Sequence, residues 1–137
     1  MLDLEIVKDW LKTLTPVFSH YYVGKLDGKQ DDSLGVYNLK RSSGPPGIAL
    51  GGLQATKIKK KQISLLVHGT KNNVQTEKKA IELYETLLSC GSFSLDSYQI
   101  DFIGLLVPEP VFVDHDEKGV AEYVIEFEIY YRKESNE

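Results

Sequence analysis

The chain has 137 residues, of which 42% are hydrophobic and 26% are charged, and its net charge is −4. This length and composition fit one globular domain over residues 1–137, with the last few residues disordered, and exclude an intrinsically disordered chain. The acidic balance argues against bulk attraction to nucleic acid, and a single cysteine excludes an internal disulfide framework. No signal peptide or apolar run of about 18 residues is present, so we expect a cytoplasmic product without a membrane span.

The charge is distributed unevenly along the chain. Residues 109–137 contain nine acidic and three basic side chains, whereas the rest of the chain is net positive. A molecule with a basic middle and an acidic end could pair with copies of itself.

The first half of the chain predicts one helix and two or three strands. Asp3 is expected to cap a short amphipathic helix that Pro16 stops. Residues 17–22 are β-prone, 24–33 form a polar loop, and 34–40 form a strand. After a loop rich in glycine and proline, a strand over 58–68 places Ile63 and its alternate neighbours on one face.

The second half begins with the clearest helix, which Asn73 is expected to cap and Gly91 to end. Its predicted apolar stripe consists of Val74, Ile81, Tyr84 and Leu88, widened by Ala80, Leu83 and Leu87. A strand over 98–107 is interrupted by Pro108 and Pro110, which indicates a sheet edge or a bend. After a turn with Gly119 at positive φ, residues 121–131 alternate as a half-buried strand does. These elements predict an α+β fold, with two helices packed on one face of an antiparallel or mixed β-sheet and a long Gly/Pro loop.

The Gly/Pro loop is the least ordinary segment of the sequence. Its glycines and prolines are Gly44, Pro45, Pro46, Gly47, Gly51 and Gly52. A phosphate-binding loop needs GxxxxGK[ST] leading into a helix, and here the glycines lead into a strand without a Lys-Ser/Thr pair. Two interpretations remain, a plain surface loop and an assembly contact, since long loops without secondary structure are often functional.

A cluster of lysines follows the loop, at Lys57, Lys59, Lys60 and Lys61. On a strand, Lys57, Lys59 and Lys61 share the face of Ile63, and Lys60 points the other way. The cluster can protect an edge strand, meet an acidic strand of another subunit, or contact nucleic acid. No aromatic residues are interleaved with the lysines for base stacking, which disfavours nucleic acid.

No pattern in the sequence predicts an active site, a cofactor site or a metal site. The three histidines lack metal-ligand spacing, and Asp114–Gly119 fails as a calcium loop because Ile125 stands where a bidentate glutamate is needed. Cys90, near the end of an apolar helix, is expected to be a buried small hydrophobe. Glu126 and Glu128 share the outer face of a strand, which favours a solvated or interface row. We therefore expect no catalysis.

Four stretches follow one another along the chain: GVYNLKRSSGPPGIALGG, KKKQISLLVHGT, EKKAIELYETLLSC and GLLVPEPVFVDHDEKGVAEYVIEFEIYYR. In this order they resemble the minor capsid and tail terminator proteins of long, flexible-tailed bacteriophages and prophages. Together these stretches span most of residues 1–132.

The resemblance implies a small α+β structural subunit that forms a ring, typically a hexamer, at the head-proximal end of the tail tube. There it stops tube polymerisation and joins the tail to the head. The implied partners are further copies of the chain, the tail tube protein and the head–tail connector protein. The implied location is the virion, after assembly in the host cytoplasm. No cofactor, membrane or specific nucleic-acid binding is implied, although DNA can pass through the ring.

On this view the segment 42–56 orders against the tube or a neighbouring subunit, and lysines 57–61 meet Glu126 and Glu128 of the next copy. Such pairs contribute little singly but can set register round a ring. Two other functions stay open. One is a head–tail connector, either an adaptor or a stopper, and the other is a small regulatory or nucleic-acid-binding module.

Overall fold

The computed structural model describes residues 2–39 and 58–134, which contain two helices and seven strands. In chain order the elements are α1 (Leu4–Leu11), β1 (His20–Val23), β2 (Ser33–Asn38), β3 (Lys59–His68), α2 (Asn73–Leu88), β4 (Phe93–Leu95), β5 (Tyr98–Leu105), β6 (Val111–His115) and β7 (Ala121–Lys133). The predicted Gly/Pro loop and the predicted disorder of the last residues lie outside these ranges.

Helix α1 begins as the sequence predicts. The Asp3 carboxylate accepts a hydrogen bond from the Ile6 amide at 2.9 Å, which satisfies one of the free N–H groups of the first turn. The helix ends at Leu11, well before Pro16. Its buried side includes Trp10, whose ring stacks on Phe93 at 5.2 Å between centroids.

Helix α2 differs from its prediction at both ends. Asn72, not Asn73, is the N-cap, and its side chain accepts from the Gln75 amide at 3.1 Å. At the other end the cap is Ser89, whose amide donates to Glu85. Gly91 does not adopt the positive φ of a C′ glycine, so the helix ends without one.

The buried side of α2 is also rotated relative to the predicted stripe. The residues in the core are Thr76, Ala80, Leu83 and Leu87. Val74 and Leu88, by contrast, are 61% and 63% exposed. The small side chains of Thr76 and Ala80 let the helix approach the sheet closely. The close packing gained in this way outweighs the burial of the larger apolar residues on the neighbouring side of the helix.

The sheet is mixed and dominates the fold. Its strand order is β1-β2-β3-β7-β5-β4, and β6 pairs with β7 off this path. Strands β1 and β2 are parallel, whereas every other pair is antiparallel. The α+β class is thus confirmed, with a larger contribution from strands than the sequence predicted.

Strand β7 lies at the centre of the sheet. Along one side it pairs with β3 from Glu122 to Tyr131. Its other side is divided, because β5 pairs with residues 127–133 and β6 with residues 121–124. Pro108 and Pro110 lie in the segment between β5 and β6, so the predicted interruption is confirmed.

One hydrophobic core unites the sheet and the two helices. The residues of β7 alternate between buried and half-buried from Ala121 to Tyr131, as the sequence predicted. The buried set joins the apolar sides of α1 and α2 in one cluster. Phe127 is fully buried in this cluster, and its ring centroid lies 6.5 Å from that of Trp10.

The start of the described chain lies against the end of β7. Leu2 is 1% exposed, and its backbone N–H donates to the Tyr131 hydroxyl at 3.4 Å. This contact fixes the entry into α1 beside the end of the longest strand.

Asp32 connects the loop before β2 to helix α2. Its carboxylate forms an ion pair with Lys79 and accepts a hydrogen bond from the Ser19 hydroxyl at 2.7 Å. Burial by itself would raise the pKa of Asp32, but the hydrogen bonds from Lys79 and Ser19 outweigh it and lower the pKa below its usual value.

We predict that Gly69→Ala destabilises the protein by about 1–3 kcal/mol, because a Cβ at this position would overlap the buried Thr76 side chain. Urea unfolding followed by circular dichroism measures this free energy. Gly91→Ala is the matched control, since no atom lies within 4 Å of a Cβ built there. Equal unfolding midpoints for the two variants would contradict the close approach of α2 to Gly69.

We predict that Asp32→Asn lowers the free energy of unfolding by about 1 kcal/mol at pH 7. A carboxylate with a lowered folded pKa stabilises the fold above its unfolded pKa, and this stabilisation is lost as the pH falls through the folded pKa. The difference between wild type and variant should therefore shrink below about pH 4. Asp31→Asn, at an exposed neighbouring residue, should show no such dependence in parallel urea titrations.

Candidate assembly surface

The described lysines of the cluster lie at the start of β3. Lys59, Lys60 and Lys61 pair in register with Tyr131, Tyr130 and Ile129 of β7. Strand β2 pairs with β3 only as far as Ile63, so the lysines extend past β2. Lys57 and the loop residues Gly44, Pro45, Pro46, Gly47, Gly51 and Gly52 lie outside the described residues.

The structure brings two residues of the predicted interface together within one chain. The Glu128 carboxylate lies 3.8 Å from the Lys60 ammonium and accepts hydrogen bonds from Gln62 at 3.3 Å and the Tyr130 hydroxyl at 2.5 Å. The hydrogen bond to Glu128 raises the pKa of Tyr130. Glu128 therefore has a cationic partner and two neutral hydrogen-bond donors within its own chain.

Glu126 lies two residues before Glu128 on the same face of β7. It is half-buried and stands opposite Ser64 of β3 in register. Its backbone carbonyl accepts from the Leu106 amide at 2.9 Å, at the point where β5 ends. The predicted acidic row thus alternates along β7 with the residues that the strand buries.

Two exposed apolar features were not anticipated from the sequence. Every residue of β6 is exposed, and Val111, Phe112 and Val113 are 47%, 45% and 52% exposed. On α2, the rotation described above leaves Val74 and Leu88 at the surface. The run VFV between Pro110 and Asp114 was the available signal for β6, because short strands and prolines are both typical of sheet edges.

His68 is a buried residue whose surroundings the sequence did not predict. It is 1% exposed, and its Nδ1 lies 2.9 Å from the Glu122 carboxylate. Its Nε2 lies 3.7 Å from the Asp116 carboxylate and has no hydrogen-bond partner among the described residues. The side chain thus links β3, β7 and the turn after β6, which is a structural role.

An open cleft of about 630 Å³ runs beside the end of α2 and the segment after β5. Tyr84 lines it and donates from its hydroxyl to the Val107 carbonyl at 2.7 Å. Cys90 lines the cleft, and burial raises the pKa of its thiol, which disfavours the reactive thiolate. The cleft therefore offers apolar contact area without a nucleophile.

The described residues contain neither a metal-binding cluster nor a membrane-spanning helix. Within residues 2–39 and 58–134, no three His, Cys, Asp or Glu side chains are grouped so that they could hold a metal ion. Neither of the described helices has the length and apolar character needed to cross a membrane.

Comparison with known proteins gives one informative result. The family described as bacteriophage tail terminator protein matches residues 4–133, which includes every described helix and strand. A search of curated proteins gave no match. Because the family match extends over nearly the whole sequence, the chain belongs to the bacteriophage tail terminator protein family.

Proposed function

We propose that this tail terminator forms a ring, typically of six copies, on the head-proximal end of the tail tube. The ring stops further addition of tube subunits and presents a surface to the head–tail connector protein. The chain acts as a single domain without catalysis or a cofactor, and it assembles in the host cytoplasm before becoming part of the virion. The match of residues 4–133 to the tail terminator family is the observation that carries this proposal.

Exposed apolar residues support assembly with other proteins. Monomeric soluble proteins rarely keep contiguous apolar patches at the surface unless another molecule covers them. Here β6 presents three successive large apolar residues. In a closed ring each subunit binds one neighbour through one surface and the other neighbour through a second, different surface, because the same contact repeats head to tail.

The lysine cluster and the Gly/Pro loop are part of the proposed assembly surface. Lys59 and Lys61 have no ion-pair partner among the residues that the structure describes, whereas Lys60 lies beside Glu128 of its own chain. We therefore assign the contact with a second molecule chiefly to Lys59 and Lys61. The loop residues 44–52, next to these lysines in sequence, are proposed to contact the tube or a neighbouring subunit.

Deleting the gene from its phage or prophage tests the proposed function. Without a terminator the tube has no signal to stop, so we expect overlong tubes, or tubes of uneven length, that do not attach to heads. Negative-stain electron microscopy of lysates measures tube length and head attachment. Expression of the intact gene in trans is the control and should restore tails of uniform length.

Two other results would contradict this function. Tails of normal length beside filled heads would indicate a head–tail connector subunit instead. Intact virions would mean that the chain is not needed for joining heads to tails or for limiting tube length.

A further inference from the structure

Strand β6 presents an apolar edge that the described chain does not cover. It pairs with β7 on one side, and no other described strand pairs with it. Its residues Val111–Val113 are each about half exposed although all three are large and apolar. Natural proteins usually protect such an edge, and leaving it open favours pairing or packing with another chain.

Acidic side chains surround the end of this strand. Asp114 and Glu117 are exposed, and Asp116 lies in the turn between them. The backbone amides of Val120 and Lys118 donate hydrogen bonds to the Asp116 carboxylate. These bonds lower the pKa of Asp116, and the bond from Val120 has the larger effect. We call residues 111–117 the β6 hairpin surface; it combines an apolar strand with three carboxylates.

The opposite end of the same sheet is basic. Lys59 and Lys61 stand beside Tyr131 and Ile129 near the end of β7, whereas the β6 hairpin surface adjoins its beginning at Ala121 and Glu122. Nine residue-to-residue steps along the strand separate Glu122 from Tyr131, which corresponds to roughly 30 Å. Charges this far apart are screened from one another, because the Debye length at physiological salt is about 8 Å. Each end can therefore act on a different molecule.

We infer that, within the ring proposed above, the β6 hairpin surface of one subunit binds the lysine end of the next subunit at Lys59 and Lys61. The inference rests on the proposed ring and names its subunit contact. The occupant is a second copy of this chain, because one chain carries both complementary surfaces at opposite ends. Repeating such a contact head to tail closes a ring when the rotation per subunit permits.

The two parts of the β6 hairpin surface have different roles in this contact. Burying Val111, Phe112 and Val113 removes apolar area from water and supplies the attraction. The carboxylates attract the lysines of the next subunit, which selects the partner end and speeds the encounter. Repulsion between like charges excludes pairing of two β6 hairpin surfaces or of two lysine ends. Glu128 is not needed for this contact, because it is held by Lys60, Gln62 and Tyr130 of its own chain.

Charge reversal at each end, alone and combined, tests the inference. The double variant Asp114→Lys with Glu117→Lys makes both ends basic. The double variant Lys59→Glu with Lys61→Glu makes both ends acidic. We expect each double variant to weaken ring formation about tenfold or more and the four-fold variant to restore it, because the ends are then complementary again. Sedimentation of the purified protein, alone and with tubes isolated from the gene-deletion lysate, measures ring formation.

Matched controls separate this contact from a change in net charge. Glu82→Lys with Glu85→Lys makes the same change on the exposed side of α2, and Lys25→Glu with Lys29→Glu makes it in the loop after β1. Both control pairs should assemble as the wild type does. Urea unfolding of every variant identifies any loss of folding, and only folded variants are compared.

An independent variant tests the apolar part of the contact. Val111→Thr with Val113→Thr keeps β-branched side chains at two exposed positions, so the fold should be retained. Ring formation should weaken because less apolar area is buried between subunits.

The possible outcomes distinguish this inference from the proposed function. Rings formed by the wild type and equally by both reversed variants would overturn the contact while leaving the ring intact. Weakened rings that the four-fold variant does not restore would also overturn it, since the two ends would then have other partners. A wild type that forms no ring, even on isolated tubes, would overturn the proposed ring and this contact with it.

Discussion

The two-residue alternation of β7 is the constraint on which the rest of the described structure depends. Its buried side chains form the floor of the core, and both helices pack against that core. Its other side carries the acidic row and the cluster of partners around Glu128. A shift of pairing by one residue would exchange these two sets of side chains, burying the glutamates and exposing Phe127. The same strand therefore specifies the interior and a chemically distinct outer face.

Local patterns made much of this fold predictable. The cap at Asp3, the turn at Gly119 and the alternation along β7 each involve residues close together in sequence, and the structure contains all three. The orientation of α2 was not predictable in the same way. Two neighbouring stripes on this helix are both apolar, and the choice between them depends on the surface that the helix meets, where Gly69 and Thr76 lie in close contact. The short strand β4 has three residues, too few for a periodic signal.

The assembly surface was predictable in its composition but not in its pairing. The sequence shows a basic segment and an acidic strand, yet the order of strands in the sheet decides whether they meet within one chain or between two. Here β3 lies beside β7, which brings Lys60 to Glu128 in the same chain. The sequence likewise contains the run Val111–Val113, but its exposure follows from the way β5 and β6 divide one side of β7. The pairing of Lys60 with Glu128 and the exposure of Val111–Val113 both depend on the strand order of the sheet, which residues distant in sequence determine together.

The hydrogen bond between Leu2 and Tyr131 has a practical consequence for anyone who labels this protein. It places the segment entering α1 beside the final residues of β7, close to Lys59 in the neighbouring strand. A label attached beside Leu2 or beside Lys133 would therefore lie at the same end of the sheet and crowd the same surface. The polar loop between β1 and β2 lies at a different place on the molecule, with Lys25 and Lys29 exposed. A small epitope inserted there would leave the lysine end of the sheet accessible, because β2 begins opposite His68, at the far end of β3 from Lys59.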